Sequence, residues 1–336
     1  MKIAFFDTHP FEKEAFTRAN RERGHAIAFI EPRLIETTAQ LAHGYPCICA
    51  FVNDKLNART FEILSAGGTR LLALRTAGFN HVDLVAAKQL GMKVVRVPEY
   101  SPYAIAEHVV ALIQTLNRKT HRSYNRVREG NFSLNGLVGF DLHGKTIGII
   151  GTGKIGKVLA RIMTGFGCKV LLNDLNADSM LSDVLKCRYT NLEEIFTQAD
   201  IISLHVPLTP LTRHLIDEKA FSQMKKGVML INTGRGGLID SRALINALKT
   251  GQVGHAGLDV YEEEEGVFFQ DLSGQILSDD ESYSGLLIFQ MFSLQVIKVF
   301  LPTRHWPILL IQPCLMSRSL NKEYLSPILF IKRSII

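Results

Sequence analysis

Along the first hundred residues, short apolar runs alternate with segments whose apolar positions recur at helical spacing. Lys2 to Phe6, His25 to Ile30, Cys47 to Asn53, Arg70 to Arg75 and Lys93 to Val97 read as strands. Phe11 to Arg23, Thr37 to His43, Arg59 to Ala66 and Val82 to Leu90 read as the helices between them. Short apolar strands separated by helices and Gly-marked turns predict a parallel, helix-covered sheet, and so a domain in its own right. Pro98 and Pro102 punctuate the chain, and from Ala104 a long helix carries Ile105, Val109, Leu112, Ile113 and Leu116 on one face. That helix turns polar from Lys119 to Arg128 and is expected to link two domains. The alternation then resumes, with strands expected at Thr146 to Ile150, Cys168 to Asn173, Ile201 to Val206, Val228 to Asn232 and Gly254 to Val260. The predicted fold class is α/β, with two doubly wound parallel sheets.

The second run opens on KTIGIIGTGKIGKVLARIMTGFGCKVLLND, Lys145 to Asp174. A buried strand ends in Gly151, Gly153 and Gly156, with Lys154 and Ile155 between them, and the helix that follows is expected from Lys157 to Gly167. The first glycine permits the tight turn and the second lets backbone approach a pyrophosphate. The third lets helix and strand pack closely, and the helix N-terminus faces the phosphate charge. The next strand ends in Asp174, which can accept hydrogen bonds from both adenosine ribose hydroxyls and would repel a 2′-phosphate. NAD is therefore expected rather than NADP.

Composition changes this picture at one end only. The 336 residues, 46% of them hydrophobic and 21% charged, suit about two globular domains. The N-terminus carries charges from the start, without a signal-peptide pattern, and five cysteines without a CxxC pair suggest neither a disulfide framework nor a metal site. The expectation is cytoplasmic. The formal charge of +6 is concentrated after Ser282, where six basic residues meet one acid, Glu323. The nearly neutral body has no basic stripe to suggest nucleic acid, and the apolar run from Gly285 to Leu301 is interrupted by Gln290, Gln295 and Lys298 and is short for a membrane span.

In open α/β sheets ligands lie at the carboxyl ends of strands, so the polar residues there are candidates. His205, Val206 and Pro207 end one strand, followed by Thr212. Asn232, Thr233, Gly234 and Arg235 end the next, and Asp259 to Glu265 the last. A guanidinium in a Gly-flanked loop can grip a carboxylate with two parallel hydrogen bonds, which singles out Arg235 as an anion ligand. The run of four carboxylates from Glu262 to Glu265 reads as a solvated loop.

These residues, with AFVND (Ala50 to Asp54), LRTAGFNHVD (Leu74 to Asp83), RVPEYSPYAIAEH (Arg96 to His108), SLHVPLT (Ser203 to Thr209), INTGRGGLID (Ile231 to Asp240) and GLDVYEEEE (Gly257 to Glu265), make the chain resemble the D-isomer-specific 2-hydroxyacid dehydrogenases. Within that family it is most similar to the fermentative D-lactate dehydrogenases, and the match runs from Met1 to about Glu281. The resemblance implies a flavodoxin-like substrate domain over residues 1–101 and an inserted Rossmann NAD domain over 102–281. It implies NAD as cofactor, held by the glycine loop, Asp174, Val206, Pro207, Thr212, Thr233, Gly234, Arg235 and Asp259. It further implies that Arg235 binds the substrate carboxylate and polarises its carbonyl, and that Glu264 raises the pKa of a catalytic His that gives a proton to the keto oxygen. Thr76, Gly78 and Phe79 are implied to help hold the carboxylate, and Tyr100 to border the side-chain pocket. Pyruvate and D-lactate are the implied substrate pair, and a homo-oligomer the implied assembly. Another D-2-hydroxy acid as substrate, or a non-catalytic NAD-binding regulator, are the alternatives.

The chain departs from the family after Glu281. The family's catalytic His lies in a G-H-x-x motif shortly after the acidic segment, and this chain has none; His305, the only histidine after Glu264, has a different context. Residues 282–336 contain no Asp, four of the eleven prolines and the only Trp. Taking the third base of each codon with the first two of the next, Phe289 to Leu301 with one codon on either side can encode Phe-Pro-Asn-Val-Leu-Thr-Ala-Gly-His-Gln-Gly-Phe-Leu-Thr, which resembles the missing motif. The expectation is a reading frame shifted near Ser282, and an enzyme impaired by it.

Overall fold

A computed structural model describes residues 1–79, 81–97, 101–262 and 292–294, and the chain divides after Ser101 into two units. In the first, five four-residue strands, β1 (Lys2–Phe5), β2 (Ala26–Phe29), β3 (Cys47–Ala50), β4 (Leu71–Leu74) and β5 (Lys93–Arg96), pair in parallel in the order β2-β1-β3-β4-β5. This is the flavodoxin-like order, reversing direction between β1 and β3. β3 and β4 are buried at every position because both faces are covered. On one face Ala4, Ile48 and Leu72 pack with Phe61 and Leu64 of α2 (Ala58–Ala66) and Ala86 of α3 (Leu84–Gln89). On the other, Ile3, Phe5, Cys47 and Cys49 pack with Phe16 of α1 (Pro10–Asn20).

Local chemistry sets the ends of these helices. Asn57 and Asp83 accept the backbone N–H groups of Thr60 and Ala86, which caps α2 and α3. The first helix stops earlier than the expected Arg23, because the Asn20 carboxamide bonds both the N–H and the carbonyl of His25 and turns the chain into β2. The helix expected from Thr37 to His43 is only a 3₁₀ turn, Ala39–Ala42.

The second unit carries a seven-stranded sheet. Its strands are β6 (Thr146–Ile150), β7 (Lys169–Asn173), β8 (Arg188–Tyr189), β9 (Ile201–Leu204), β10 (Val228–Asn232), β11 (Val253–Leu258) and β12 (Phe292–Leu294). They pair in parallel in the order β12-β11-β10-β9-β6-β7-β8. Counted from β6 this is 3-2-1-4-5-6 with one further edge strand, the Rossmann arrangement, whose switch point lies between β6 and β9. Ile147 and Ile149 face α4 (Pro102–Arg118) and α6 (Lys154–Gly165) through Val109, Leu112, Ile113, Leu159 and Met163. The opposite face packs α7 (Leu192–Gln198), α8 (Glu218–Gln223) and α9 (Ser241–Lys249) through Ile195, Phe221 and Leu244.

Two sequence expectations need correction here. The long helix after Pro102 is an integral layer of the second unit, because its apolar stripe completes one of that unit's cores. It also does not run on to Arg128: Lys119 adopts a left-handed conformation (φ 51°), which ends α4 and starts a separate α5 (Thr120–Arg128). Three residues of the compositionally foreign tail, Phe292–Leu294, form β12 and pair with Ala256 to Leu258 of β11.

Candidate active site

The glycine loop between β6 and α6 has the geometry of a dinucleotide cradle. Gly151 sits at φ 98°, and a Cβ there would come within 2.6 Å of the His205 backbone. At Gly156 a Cβ would collide with the carbonyl oxygen of Gly151, so only glycine lets α6 start this close to β6. Gly153 differs: a Cβ there meets no protein atom within 4 Å, which leaves the backbone open to a ligand at this point. Gly153 is also the N-cap of α6 and offers no side-chain acceptor, so the first turn of the helix has no side-chain cap. The helix expected from Lys157 thus starts three residues earlier, at Lys154.

Asp174 follows the last residue of β7. Its carboxylate accepts N–H groups from Thr152 (2.6 Å) and Asn176 (2.9 Å), which aim it across the mouth of the glycine loop. Burial works against the charge, but the backbone donors of Asn176, Thr152 and Leu175 outweigh it and hold the Asp174 carboxyl below its ordinary range. An open cradle, an uncapped helix start and an anionic acid at the strand end fit a dinucleotide with free ribose hydroxyls.

Along the sheet the carboxyl ends of β9, β10 and β11 follow that of β6 in this order, with β9 next to it. Beyond β9, Thr212 donates to the carbonyl of Pro207 (2.6 Å) and accepts from the N–H of Thr209 (2.8 Å), bracing the loop that starts at Val206. Beyond β10, the Asn232 carboxamide donates to the carbonyl of Arg235 (2.9 Å) and accepts from the N–H of Gly234 (3.0 Å). This clamp shapes the Thr233 to Arg235 turn. The Thr233 hydroxyl is buried and has no hydrogen-bond partner among the described residues, the condition of a group awaiting a ligand. Arg235 is exposed, bonds only the Gly234 carbonyl (2.8 Å), and meets no carboxylate among the described residues. Gly236 has no room for a Cβ against the Tyr261 and Glu262 backbone, so the Arg235 turn rests on the segment after β11. That segment starts at Asp259, buried, 3.4 Å from His108 of α4.

Glu262 is not the solvated residue that its place in a four-carboxylate run suggests. His214 (2.7 Å) and Arg213 (2.9 Å) pair with it, and His214 takes a left-handed backbone conformation to do so. Sequence gives no sign of this, since the partners lie 48 and 49 residues away. Glu264 and Tyr100 lie outside the described residues.

In the first unit, Thr76, Gly78 and Phe79 form one turn, closed by a bond from the Thr76 hydroxyl to the Gly78 carbonyl (2.7 Å). Two arginines that sequence reasoning passed over stand next to it, and one of them holds it. Arg96 donates to the Ala77 carbonyl (2.9 Å) and lies over the Phe79 ring. Arg75, buried between the rings of Phe5 and Phe51, pairs with Glu12 (2.7 Å) and donates to the Asp7 carbonyl (2.7 Å). The signal was present, since each arginine is the lone charge at or just after the end of an apolar strand.

His205 bonds Ser203 through Nε2 (2.8 Å), and burial pushes its pKa down to about 4. An unfolded His titrates near 6.5, so between the two values the unfolded chain binds the proton and the folded one does not. Stability of the second unit is therefore complete above pH 6.5 and lost as pH falls towards 4, by about 2–3 kcal/mol from this residue. In the first unit His81, pushed down to about 4, and Asp54, pushed up to about 7, both by burial, have opposite slopes and largely cancel. Denaturant midpoints at pH 7 and 4.5 are expected to drop for the second unit, with the drop reduced in His205→Gln. A drop of equal size in that variant would contradict this origin.

Comparison with known proteins agrees with the geometry. Residues 110–280 match the model of the D-isomer-specific 2-hydroxyacid dehydrogenase NAD-binding domain. The chain is 51% identical over 280 residues to 2-hydroxyacid dehydrogenase homolog 1 of Schizosaccharomyces pombe, covering 83% of this chain and 84% of the relative. It is 48% identical over 280 residues to D-lactate dehydrogenase of Escherichia coli, covering 83% and 85%. Among solved structures, apo D-lactate dehydrogenase from Escherichia coli superposes with a TM-score of 0.88 at 41% identity, over 97% of this chain and 99% of that one. D-2-hydroxyisocaproate dehydrogenase superposes with a TM-score of 0.83 at 29% identity, over 100% and 99%. The chain belongs to the D-isomer-specific 2-hydroxyacid dehydrogenases, oxidoreductases that use NAD.

Proposed function

We propose that this chain is a D-lactate dehydrogenase by descent, built to reduce pyruvate to D-lactate, and that with its present tail it lacks the group that donates the proton. The observation that carries the substrate reading is Arg235, a guanidinium on a braced turn at the same end of the sheet as the glycine cradle, with no carboxylate of the described residues to neutralise it. Bound NADH supplies the hydride. Arg235 takes the substrate carboxylate and draws electron density from the adjacent carbonyl, while Thr233, Gly234, Val206, Pro207, Thr212 and Asp259 contact the cofactor. Thr76, Gly78, Phe79 and Tyr100 are proposed substrate contacts, and Glu264 the partner of the family's catalytic His. The pyruvate reading is supported by the 41% identity to the D-lactate dehydrogenase of Escherichia coli against 29% to the hydroxyisocaproate enzyme when both are compared by structure.

Oxamate, an unreactive pyruvate isostere, tests the Arg235 assignment without requiring turnover. With NADH saturating, Arg235→Gln is expected to weaken oxamate binding about 10- to 100-fold, the worth of a charge-assisted bidentate contact, with NADH affinity changed far less. Equal oxamate affinity in the two proteins would remove Arg235 from the substrate site.

We also propose that the chain self-associates. Phe132, Leu134 and Val138 follow α5 and are 76–80% exposed, a concentration of apolar surface suited to a partner copy. A cytoplasmic location is supported by four buried free thiols, Cys47, Cys49, Cys168 and Cys187. Among the described residues no helix is long and apolar enough to cross a membrane.

A further inference from the structure

Beside Asp174 a cavity of about 420 Å³ opens, lined by Thr152, Gly153, Lys157, Asn176 and Asp178 among others, where the adenosine ribose of a dinucleotide belongs. Asp174 accounts for the exclusion of a 2′-phosphate by repulsion, but it is not the only charge there. Lys157, in the first turns of α6, brings an ammonium to the same cavity, and a cation at this place is what an NADP site needs. That ammonium is taken: Nζ lies 2.5 Å from Oδ2 of Asp178.

Asp178 is itself held in place. Its Oδ1 accepts the Met180 N–H (2.9 Å), and its own N–H donates to the Tyr189 hydroxyl (3.0 Å), which also bonds Thr152 in the glycine loop (3.0 Å). The carboxylate is thus fixed at one side of the cavity and draws the long, flexible lysine stem towards it, with the Lys157 side chain still 42% exposed. Specificity is a difference of affinities, and sequestering a favourable contact for the wrong ligand raises that difference as repulsion does.

We propose that Asp178 is a second cofactor-selectivity residue, which withholds the Lys157 ammonium from a 2′-phosphate. Asp174 repels the phosphate, and Asp178 denies it a counter-ion. Loss of Asp178 therefore turns Lys157 into a phosphate ligand, even with Asp174 in place.

The test is the ratio of NADPH to NADH affinity of the full chain, read by nicotinamide fluorescence, in the unaltered protein, Asp178→Asn, Lys157→Met and the double variant. Asn keeps the acceptor for Met180, and Asp178→Ser serves as a second variant with a short acceptor. Asp178→Asn is expected to shift the ratio towards NADPH about two- to fivefold, the size of one partly exposed charge contact. In the double variant the ratio returns to that of the unaltered protein. A shift that persists in the double variant would mean that the acid acts by repulsion alone, and no shift in either Asp178 variant would mean that it takes no part; either result overturns the proposal. Failure of the unaltered chain to bind NADH would contradict the cofactor site itself, and the proposal with it.

Discussion

Read in the offset frame after Ser282, the chain is expected to reduce pyruvate about 10²- to 10⁴-fold faster than the form given, the range that a positioned general acid contributes. The two forms differ in the proton donor. Hydride transfer to a keto carbon leaves an alkoxide unless a proton arrives at the oxygen, and His305, the only histidine after Glu264, lacks the family's context. The offset frame can encode Gly-His-Gln-Gly shortly after the acidic segment, where the family's motif lies, and the family match ends at residue 280, two residues before the proposed shift. NADH affinity should differ by only a few-fold between the two forms, since the glycine loop and Asp174 precede the shift. Equal turnover by the two proteins, at either a high or a low rate, would show that the tail does not control the chemistry.

Gly156→Ala is expected to cost about 3 kcal/mol of stability or more and at least about 100-fold in NADH affinity, whereas Gly153→Ala should fold normally and lose only NADH affinity. The two glycines sit three residues apart but do different work. A Cβ on Gly156 lands on the Gly151 carbonyl, so α6 must move away from β6, an overpacking that rigid backbone cannot relieve by rotamer change. A Cβ on Gly153 meets no protein atom within 4 Å and enters ligand space, and Ala in place of Gly at an N-cap costs about 0.5–1 kcal/mol, well below the cost at Gly156. Thermal unfolding with an NADH titration on each variant separates them. Normal stability in Gly156→Ala, or normal NADH affinity in Gly153→Ala, would contradict the assigned roles.

What the sequence showed most clearly was whatever depends on local pattern. Ten of the twelve described strands lie within three residues of the apolar runs that announce them, because burial on both faces demands continuous hydrophobicity, while the two- and three-residue edge strands β8 and β12 are too short to leave such a run. The glycine loop and Asp174 were legible because a dinucleotide cradle fixes both residue type and spacing. Helix starts and breaks were harder. α6 begins at Lys154 because helical geometry starts directly after the Gly153 cap, although the apolar periodicity begins later. The break at Lys119 rests on one left-handed residue within a stretch whose composition favours a continuous helix. Long-range polar contacts were invisible. Nothing in the spacing pairs Glu262 with His214, or Arg75 with Glu12 63 residues earlier, because such pairs form only once the sheet order is set.

NADH oxidation in the presence of pyruvate, followed by nicotinamide absorbance with the chain as given and preceded by a fluorescence titration of NADH, tests the account most directly. The expected result is saturable NADH binding with almost no pyruvate-dependent loss of absorbance: an intact cofactor unit joined to an incomplete proton-transfer system. Turnover at an ordinary enzymatic rate, about 10 s⁻¹ or more, would mean that another group of this chain delivers the proton and would contradict the reading of its tail.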